Sequence, residues 1–460
     1  MGLTTPTSSL EATLQRRLAQ RESKGRLRYL NVPEPGLVDF SSNDYLSLSQ
    51  DLVVRDALIA HLTDPGSKPS PSSSERLIGS GGSRLLDGNS VSVENLERKI
   101  SQFHSSQAAL LFTSAYDANV GLISCVPGVK DVIIYDDLIH ASIHDGMRLS
   151  RASKKIPFAH DSIIQHTREL SAEPEQDDLR QPRGLEPTLK RLINRDDQVR
   201  SGESNVFICV EALYSMDGDI ADLKYISDAV KRSLPRGNGY IIVDEAHSIG
   251  VLGSGGRGLV CQLGLQDQIW ARVIGFGKAM GCAGGAVLCS SITRHYLINY
   301  ARTLIYTTAM SFPSLASIRA AYDHLISGKA EERQTKLNTL IQYCHAKLKS
   351  LDERLKPTAT ALRIPNSPSN SPIIPLFTSY PKGLANHCQV SGFMIRPIVA
   401  PTVARGQERI RICLHAANTT QQIDGLFREI ERWLCHLNQA YCTMGPEIRA
   451  GSPDNLKARL

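Results

Sequence analysis

A lysine framed by glycines is the residue of this sequence that points most directly to chemistry. Lys278 lies between apolar runs at 271–274 and 286–289, with five glycines in the segment 275–285. An ammonium group between two buried strands is costly unless it has a partner or a chemical task. Glycines, in turn, let another group approach the backbone closely. We therefore hypothesise that Lys278 forms a Schiff base with an aldehyde cofactor, pyridoxal phosphate (PLP). A surface lysine on a loop between strands is the alternative that this stretch alone leaves open.

A carboxylate and an imidazole follow another apolar run. Residues 240–243 lead into Asp244, and His247 comes three residues later. In open α/β sheets, ligands bind at the carboxyl ends of the strands. A carboxylate there can pair with the protonated nitrogen of a pyridine ring and make the ring a better electron sink. The alternative role of Asp244 is to cap a helix that follows the strand.

Three further strand ends carry groups suited to a flat, phosphorylated cofactor. His140 follows the run 131–135 and could stack on a ring, or could be a hydrogen-bonded surface histidine. Ser215 places a hydroxyl in the turn after the run 205–210. Segment 113–119 opens a helix after a strand, and the amides and dipole of a helix N-terminus form a site suited to a phosphate.

The elements that would position these residues alternate along the chain. Short apolar or β-branched runs bounded by turn residues predict strands at 108–112, 131–135, 205–210, 240–243, 271–274 and 286–289. Helices are predicted between and after them, at 93–103, 314–326, 331–351 and 420–438. Near-continuous apolar strands separated by helices indicate a mostly parallel sheet covered on both faces.

The domain organisation follows from the same pattern. We predict an N-terminal arm at 1–62, a large α/β domain at 63–305, a small α+β domain at 306–444 and a flexible tail at 445–460. Leucines at helical spacing predict a helix within residues 8–28 of the arm, packed on the body or on a second subunit. Strands at 373–376 and 409–414 are predicted for the small domain.

Composition excludes several classes of protein. The 460 residues suggest two or three domains, and a formal charge of +6 spread along the chain does not indicate a nucleic-acid partner. The ten cysteines lack the paired spacing of a zinc site or a disulfide framework, which favours a reducing compartment and no metal. No apolar run approaches the length of a membrane span, and no signal peptide is recognisable.

Taken together, these motifs resemble those of the α-oxoamine synthases, fold-type I PLP enzymes of aminotransferase class II. The resemblance extends from about residue 36 to 440 and is strongest to the branch that makes 8-amino-7-oxononanoate. It implies an α/β fold with a mostly parallel seven-stranded sheet in a large domain and a smaller α+β C-terminal domain. The motifs, in family order, are Ser41–Tyr45, Gly79–Ser83, His140–Ser142, Ser215–Asp219, Asp244–His247, Phe276–Lys278 and Leu304–Thr308.

The resemblance implies a cofactor-binding role for each matching residue. Lys278 would hold PLP and later transfer protons, and Asp244 would pair with the pyridine nitrogen. His247 and Ser215 would hydrogen-bond the phenolic oxygen of the ring. His140 would stack on the ring face.

The phosphate and the substrate have implied contacts of their own. The backbone amides of Ala115 and Tyr116 would hold the phosphate, joined by Thr308 from a neighbouring subunit. The active site would therefore be completed in a homodimer. The implied substrate-binding residues are Asn43 and Arg411, which would receive the amino-acid carboxylate, and Thr402.

The sequence departs from the family pattern at several of these places. Gly275 stands where a threonine or serine is usual, and Ala115 stands where glycine is usual. Asp117 adds a negative charge beside the expected phosphate site, and we expect its side chain to point to solvent. Residues 404–406 replace the usual Pro-x-Gly, which leaves the acyl-chain specificity open.

The expected reaction is a decarboxylative condensation of an amino acid with an acyl-CoA. The resemblance favours L-alanine and pimeloyl-CoA, which would give 8-amino-7-oxononanoate, CoA and CO2 for biotin synthesis. A secondary-metabolism α-oxoamine synthase using a polyketide-derived acyl thioester is the alternative. From another class, a non-catalytic partner subunit is disfavoured because Lys278 is present.

The last three residues resemble an address signal. Ala458-Arg459-Leu460 has the small-basic-leucine form of a C-terminal peroxisomal targeting sequence. We expect it to bind the peroxisomal import receptor and direct the protein to peroxisomes, with the cytoplasm as the alternative location.

Overall fold

The computed structural model describes residues 8–63, 76–164, 183–355, 362–364 and 369–443. The chain divides into two units, Met1–Leu37 and Val38–Leu460. The predicted domain boundaries at 62, 305 and 444 stay predictions. The tail at 445–460, with Ala458–Leu460, lies outside the described residues.

The first unit contains the helix that leucine spacing predicted. Helix α1 spans Ser9–Ser23 and begins where the Ser8 side chain accepts a hydrogen bond from the amide of Glu11. A serine N-cap of this kind satisfies one of the amides that a helix start leaves unpaired. The helix prediction is confirmed, with an end five residues earlier than the predicted segment.

The second unit contains the remaining elements. The strands are β1 (Val38–Asp39), β2 (Ala108–Phe112), β3 (Val132–Asp136), β4 (Lys154–Phe158), β5 (Val206–Glu211), β6 (Gly239–Asp244), β7 (Ala271–Gly275), β8 (Gly285–Cys289), β9 (Leu362–Arg363), β10 (Ile373–Thr378), β11 (Phe393–Met394), β12 (Arg396–Ile398) and β13 (Arg409–Cys413). The helices are α2 (Leu52–Thr63), α3 (Val91–Phe103), α4 (Ala115–Cys125), α5 (Ala141–Leu149), α6 (Asp161–Ile164), α7 (Leu185–Arg195), α8 (Asp197–Ser201), α9 (Leu223–Ser233), α10 (Leu259–Gln262), α11 (Ser291–Tyr300), α12 (Arg302–Ile305), α13 (Phe312–Ile326), α14 (Glu331–Leu355), α15 (Pro381–Val390) and α16 (Thr420–Thr443).

A seven-stranded sheet forms the centre of this unit, in the order β2-β8-β7-β6-β5-β3-β4. All neighbours are parallel except β8, which is antiparallel to both β2 and β7. Side chains alternate between two hydrophobic clusters. Along β5, for example, Phe207 and Cys209 join one cluster and Ile208 and Val210 join the other. A sheet buried on both faces in this way explains the near-continuous apolar runs. The predicted mostly parallel seven-stranded α/β fold is confirmed.

A second, antiparallel sheet has the order β12-β13-β10-β9. Strand β1 pairs with β11 nearby, and the chain that follows β1 runs alongside β13. The amide of Cys413 donates to the carbonyl of Phe40 at 2.8 Å, and the amide of Ala416 donates to the carbonyl of Tyr45 at 2.7 Å. These bonds bring the segment that carries Asn43 against the strand that carries Arg411.

Within the described parts of the chain, no helix has the length and apolarity that crossing a membrane would require.

Candidate active site

Lys278 lies in the connection between β7 and β8, as the sequence predicted. The connection is closed at its ends by a hydrogen bond from the amide of Phe276 to the carbonyl of Gly284, at 2.9 Å. Gly281 turns the chain back, with φ of +63°, and a Cβ atom there would lie 2.4 Å from the amide nitrogen of Ser49. Glycine is therefore required at this position.

The surroundings of the Lys278 amine favour its reactivity. The residue is partly buried, and in the described chain no hydrogen bond or ion pair engages its Nζ. Burial lowers the pKa of Lys278, and the charge of Arg411 acts in the same direction, while Asp244 and Glu211 act against it. A lowered pKa keeps more of the amine in the neutral, nucleophilic form.

Asp244 is the last residue of β6 and its side chain is buried. One carboxylate oxygen accepts from the amide of Ala246 at 2.9 Å, and the other accepts from Nδ2 of Asn119 at 2.7 Å. Turns follow the strand, and no helix begins there. The helix-capping alternative is therefore wrong, and the carboxylate stands at the sheet edge where a ligand would meet it.

His247 is buried and contacts the hydroxyl of Tyr45, with 2.8 Å between Nδ1 and the oxygen. Burial holds the pKa of His247 well below its ordinary value, and the positive charges of Lys278 and Arg411 add to this effect. His247 is therefore neutral at physiological pH. Tyr45 also donates to Oδ1 of Asn43 at 3.2 Å and so links His247 to the next group of residues.

Arg411 connects Asn43 with the backbone of Ser215. Arg411 donates from Nη2 to Oδ1 of Asn43 at 3.1 Å and from Nη1 to the carbonyl of Ser215 at 2.9 Å. The guanidinium is thus fixed in orientation by two different elements. A fixed guanidinium is suited to bind a carboxylate with two hydrogen bonds.

The expected phosphate site lies at the start of α4. Ser114 caps this helix, and its Oγ accepts from the amide of Asp117 at 3.0 Å. The expectation that Asp117 points to solvent is wrong. Its carboxylate accepts from the hydroxyls of Thr113 at 2.5 Å and Ser114 at 2.7 Å. The physical reason is that hydroxyl donors and the positive end of the helix dipole attract the carboxylate back to the first turn. Ala115 and Tyr116 begin the helix, with Tyr116 exposed.

His140 is exposed at the start of α5, and it is also hydrogen-bonded. Its Nδ1 accepts from the amide of Ser142 at 3.2 Å and lies 2.8 Å from the Ser142 hydroxyl. Asp244 and Lys278 lie close enough to His140 to act on its pKa. The exposed ring therefore belongs to the same group of residues.

Two predicted residues stand apart from this group. Thr308 is exposed in the segment after α12, and Thr402 is exposed after the cis bond between Ala400 and Pro401. Among the described residues, neither side chain makes a hydrogen bond to the group around Lys278.

Sequence reasoning assigned no role to four residues of the site: Tyr45, Asn119, Ser142 and Glu211. Glu211 is the last residue of β5 and is paired in register with Asp244 on β6. Burial raises the pKa of Glu211 well above its ordinary value, and the charge of Asp244 acts in the same direction. Its position as the first polar residue after an apolar run, like that of Asp244, could have identified it.

The donor set fits PLP. An unpartnered amine with a lowered pKa suits the aldehyde, a buried carboxylate suits the pyridine nitrogen, and the backbone amides of a helix N-terminus suit the phosphate. The Asp117 carboxylate at the same helix turn opposes phosphate binding. The backbone is also adapted to this geometry. A Cβ atom on Gly285 would lie 2.5 Å from the amide nitrogen of Ala115, so the glycine lets β8 approach the start of α4.

Comparison with known sequences gives the same family. The model of aminotransferase class I and II matches residues 35–430. An 8-amino-7-oxononanoate synthase of Emericella nidulans is 46% identical, over 92% of this chain and 96% of that protein. An aminoacyl transferase, sphA, of Aspergillus fumigatus is 33% identical, over 85% of this chain and 79% of that protein.

Solved structures share the fold. A serine palmitoyltransferase from S. paucimobilis with a bound PLP–myriocin adduct gives a TM-score of 0.73 at 22% identity, over 93% of this chain and 98% of that one. An 8-amino-7-oxononanoate synthase from Francisella tularensis gives 0.63 at 23% identity, over 88% and 99%. Family model, relatives and fold agree, and the chain belongs to the class I and II aminotransferase family, in its α-oxoamine synthase branch.

Proposed function

We propose that this protein is a PLP-dependent acyltransferase that condenses L-alanine with pimeloyl-CoA to give 8-amino-7-oxononanoate, CoA and CO2, a step of biotin synthesis. One observation carries the proposal: the unpartnered, partly buried amine of Lys278 lies near both the buried carboxylate of Asp244 and the guanidinium of Arg411. The identity of the relative from Emericella nidulans supports the choice of substrates.

Different residues would contact different parts of the cofactor. Lys278 Nζ would be the attachment point for the aldehyde, Asp244 would pair with the pyridine nitrogen, and the amides at the start of α4 would hold the phosphate. Once bound, PLP supplies an electron sink next to the α-carbon of the amino acid. Asp244 would support the electron-sink role of PLP, because its negative charge would favour a protonated pyridine nitrogen.

Arg411 and Asn43 would orient the amino-acid substrate through its carboxylate. A carboxylate held by the fixed guanidinium cannot rotate freely, so the bond to be broken at the α-carbon keeps one direction. Lys278 Nζ, with its lowered pKa, is suited to take the α-proton and return it later. In the overall reaction a carbon–carbon bond forms to the acyl carbon, the carbon–sulfur bond of the thioester breaks, and the carboxylate leaves as CO2.

A second acyl donor is favoured by a different observation. The aminoacyl transferase of Aspergillus fumigatus also spans most of this chain, and residues 404–406 depart from the usual family pattern. A polyketide-derived acyl thioester is therefore the alternative substrate.

An assay of substrate specificity tests the proposal. It uses the purified protein with alanine, glycine or serine, each combined with pimeloyl-CoA and with other acyl thioesters. We expect CoA release to be fastest with alanine and pimeloyl-CoA. Turnover with a polyketide-type thioester and none with pimeloyl-CoA would contradict the proposed substrate. Absence of CoA release with every pair would contradict the proposed enzyme class.

The active site is, we propose further, completed in a homodimer. The segment that carries Thr308 is joined to the glycine-rich motif by a hydrogen bond of 2.9 Å from the amide of Ala309 to the carbonyl of Gly82. Apolar side chains around this motif are open to solvent, with Ile78 exposed by 79% and Leu86 by 77%. Exposed apolar groups of this size favour a protein contact. Sedimentation should give a dimer for the wild-type chain and a monomer for Leu86→Asp, and a monomeric wild type would contradict the proposal.

Peroxisomal import through Ala458–Leu460 is proposed on the sequence alone. A fluorescent reporter fused to residues 449–460 should enter peroxisomes, and the same reporter without the last three residues should not. A complete fusion that stays in the cytosol would remove the support.

A further inference from the structure

A continuous chain of hydrogen bonds joins Asp244 to His140 through two residues that have no role in the proposed function. Nδ2 of Asn119 lies 2.7 Å from Oδ2 of Asp244 and 3.0 Å from Oγ of Ser142. Oγ of Ser142 lies 2.8 Å from Nδ1 of His140. Asn119 is 1% exposed and Ser142 is 0% exposed, so water does not compete for these bonds.

The Asn119 amide donates a hydrogen bond to Asp244, and such a bond favours the ionised form of the carboxylate. Both protons of Nδ2 are used, while Oδ1 is buried without a hydrogen-bond partner in the described structure. Turning the amide over would place two acceptor oxygens against each other at the position of the Asp244 contact, unless Asp244 were protonated. The other carboxylate oxygen of Asp244 already accepts from the amide of Ala246. Both oxygens therefore accept hydrogen bonds, an arrangement that favours the ionised carboxylate.

The same direction of donation continues to His140. Because the Ser142 oxygen accepts from Asn119, its single proton is available to donate to Nδ1 of His140. The backbone amide of Ser142 donates to that same nitrogen at 3.2 Å. A ring nitrogen that accepts hydrogen bonds carries no proton. The proton of the ring is therefore on Nε2, and the ring is neutral.

We propose that Asn119 and Ser142 are positioning residues that hold Asp244 as an anion and His140 as the neutral Nε2–H imidazole. The consequence rests on the proposed function. The Asp244 anion would meet the protonated pyridine nitrogen, and a neutral His140 ring would stack on a cationic ring without repulsion between two positive charges.

The charged groups around His140 have both signs. Burial lowers the pKa of His140 and Lys278 acts in the same direction, while Asp244 and Asp145 act against them. The remaining titratable neighbours are His144, His247 and Glu211. Since these charges oppose one another, the hydrogen bonds to Nδ1 decide where the proton lies.

Nitrogen NMR tests the assignment of the proton directly. The full-length protein, with ring-¹⁵N histidine, is measured by magic-angle spinning with and without PLP. We expect His140 to show a bare Nδ1 and a protonated Nε2 in both samples. In Ser142→Ala the Nδ1 signal should shift and the second tautomer should appear, while His144 in the same helix stays unchanged as the internal control. A proton on Nδ1 of the wild-type chain, or an unchanged His140 signal in Ser142→Ala, would overturn the proposal.

Cofactor affinity gives an independent measurement. Asn119→Leu removes the donor to Asp244, and Asn119→Asp places a second carboxylate there, which must share a proton with the first. Both should raise the dissociation constant of PLP at least about tenfold. Ser124→Ala is the matched control, because that hydroxyl lies on the same helix and donates to the carbonyl of Gly121. Unchanged PLP affinity in both Asn119 variants would contradict the proposal.

The two proposals fail in different ways. A wild-type chain that binds no PLP would contradict the proposed function, and the NMR measurement on the cofactor-free chain would still test the hydrogen-bond chain. If an Asn119 variant does not fold, Ser142→Ala keeps the NMR test available.

Discussion

The methyl group of Ala115 lies 3.3 Å from the position that a Cβ atom on Gly275 would occupy, and the methyl group of Ala246 lies 3.0 Å from it. Ala115 and Gly275 are two of the positions at which this chain departs from the family pattern. This proximity predicts that the two departures are energetically coupled, because the missing side chain at the end of β7 leaves room for the methyl group at the start of α4.

A double-mutant cycle tests this link. Gly275→Ser should lower the free energy of unfolding by about 1–3 kcal/mol, because the new side chain is overpacked. Ala115→Gly alone should cost about 0.5–1 kcal/mol through backbone entropy. In Gly275→Ser, the same Ala115→Gly change should instead recover part of the loss, but not all, since Ala246 still crowds the serine. Urea unfolding of the four chains measures the coupling, and strictly additive costs would show that the two positions are independent.

The contact between Arg411 and Asn43 predicts a selective effect on the amino-acid substrate. Arg411→Lys loses the bonds to Asn43 and Ser215, and charge-assisted hydrogen bonds are worth about 1.5–3 kcal/mol each. The KM for the amino acid should therefore rise about 10–100-fold. The KM for the acyl-CoA should stay unchanged, and Arg363→Lys in the same sheet serves as the control. Equal increases in both KM values would contradict the assignment of Arg411 to the carboxylate.

His160 predicts a dependence of stability on pH. Its Nδ1 lies 2.9 Å from Asp136 and its Nε2 lies 3.4 Å from Asp219. Burial acts to lower its pKa, but hydrogen bonds to the two carboxylates outweigh this and raise the pKa of His160 to about 10. The folded chain thus binds a proton that the unfolded chain, with a histidine pKa of about 6.5, releases. The stabilisation is full below about pH 6.5 and is lost as the pH rises through about 10.

The variant His160→Gln makes this contribution measurable. It leaves the buried carboxylate of Asp136 and the half-buried carboxylate of Asp219 without their cation, and it should cost about 3–5 kcal/mol near pH 6. The difference from wild type should shrink as the pH approaches 10. Urea unfolding between pH 6 and 10 measures this difference in the free energy of unfolding. The variant His295→Gln, at an exposed position, serves as the control. A difference that is constant across this range would show that His160 is not protonated in the folded chain.

The sheet and the centre of the site could be predicted because their signals are local. Apolar runs revealed β2, β3 and β5–β8. Asp244 stands directly after such a run, and Lys278 and His247 each follow a few residues after one. Strand β4 was missed because it is an edge strand with two lysines and Pro157, residue types that suit an exposed edge and hide the strand pattern.

The hydrogen-bonded supports of the site could not be predicted in this way. Asn119 and Asp244 are 125 residues apart in the chain, and only the pairing of the strands brings them together. Asp117 was placed wrongly because its side chain found donors within its own helical turn. The sequence shows that a carboxylate is present there, but the competition between solvent and two hydroxyls is decided by side-chain geometry.

Covalent attachment of PLP to Lys278 can be located directly. The purified protein is incubated with PLP, reduced with borohydride and digested, and the peptides are analysed by mass spectrometry. We predict a pyridoxyl group on the peptide that contains Lys278, and no fixed pyridoxyl group anywhere in Lys278→Ala. A pyridoxyl group on a different lysine, or the same extent of modification in Lys278→Ala, would contradict the assignment of Lys278 as the residue that holds the cofactor.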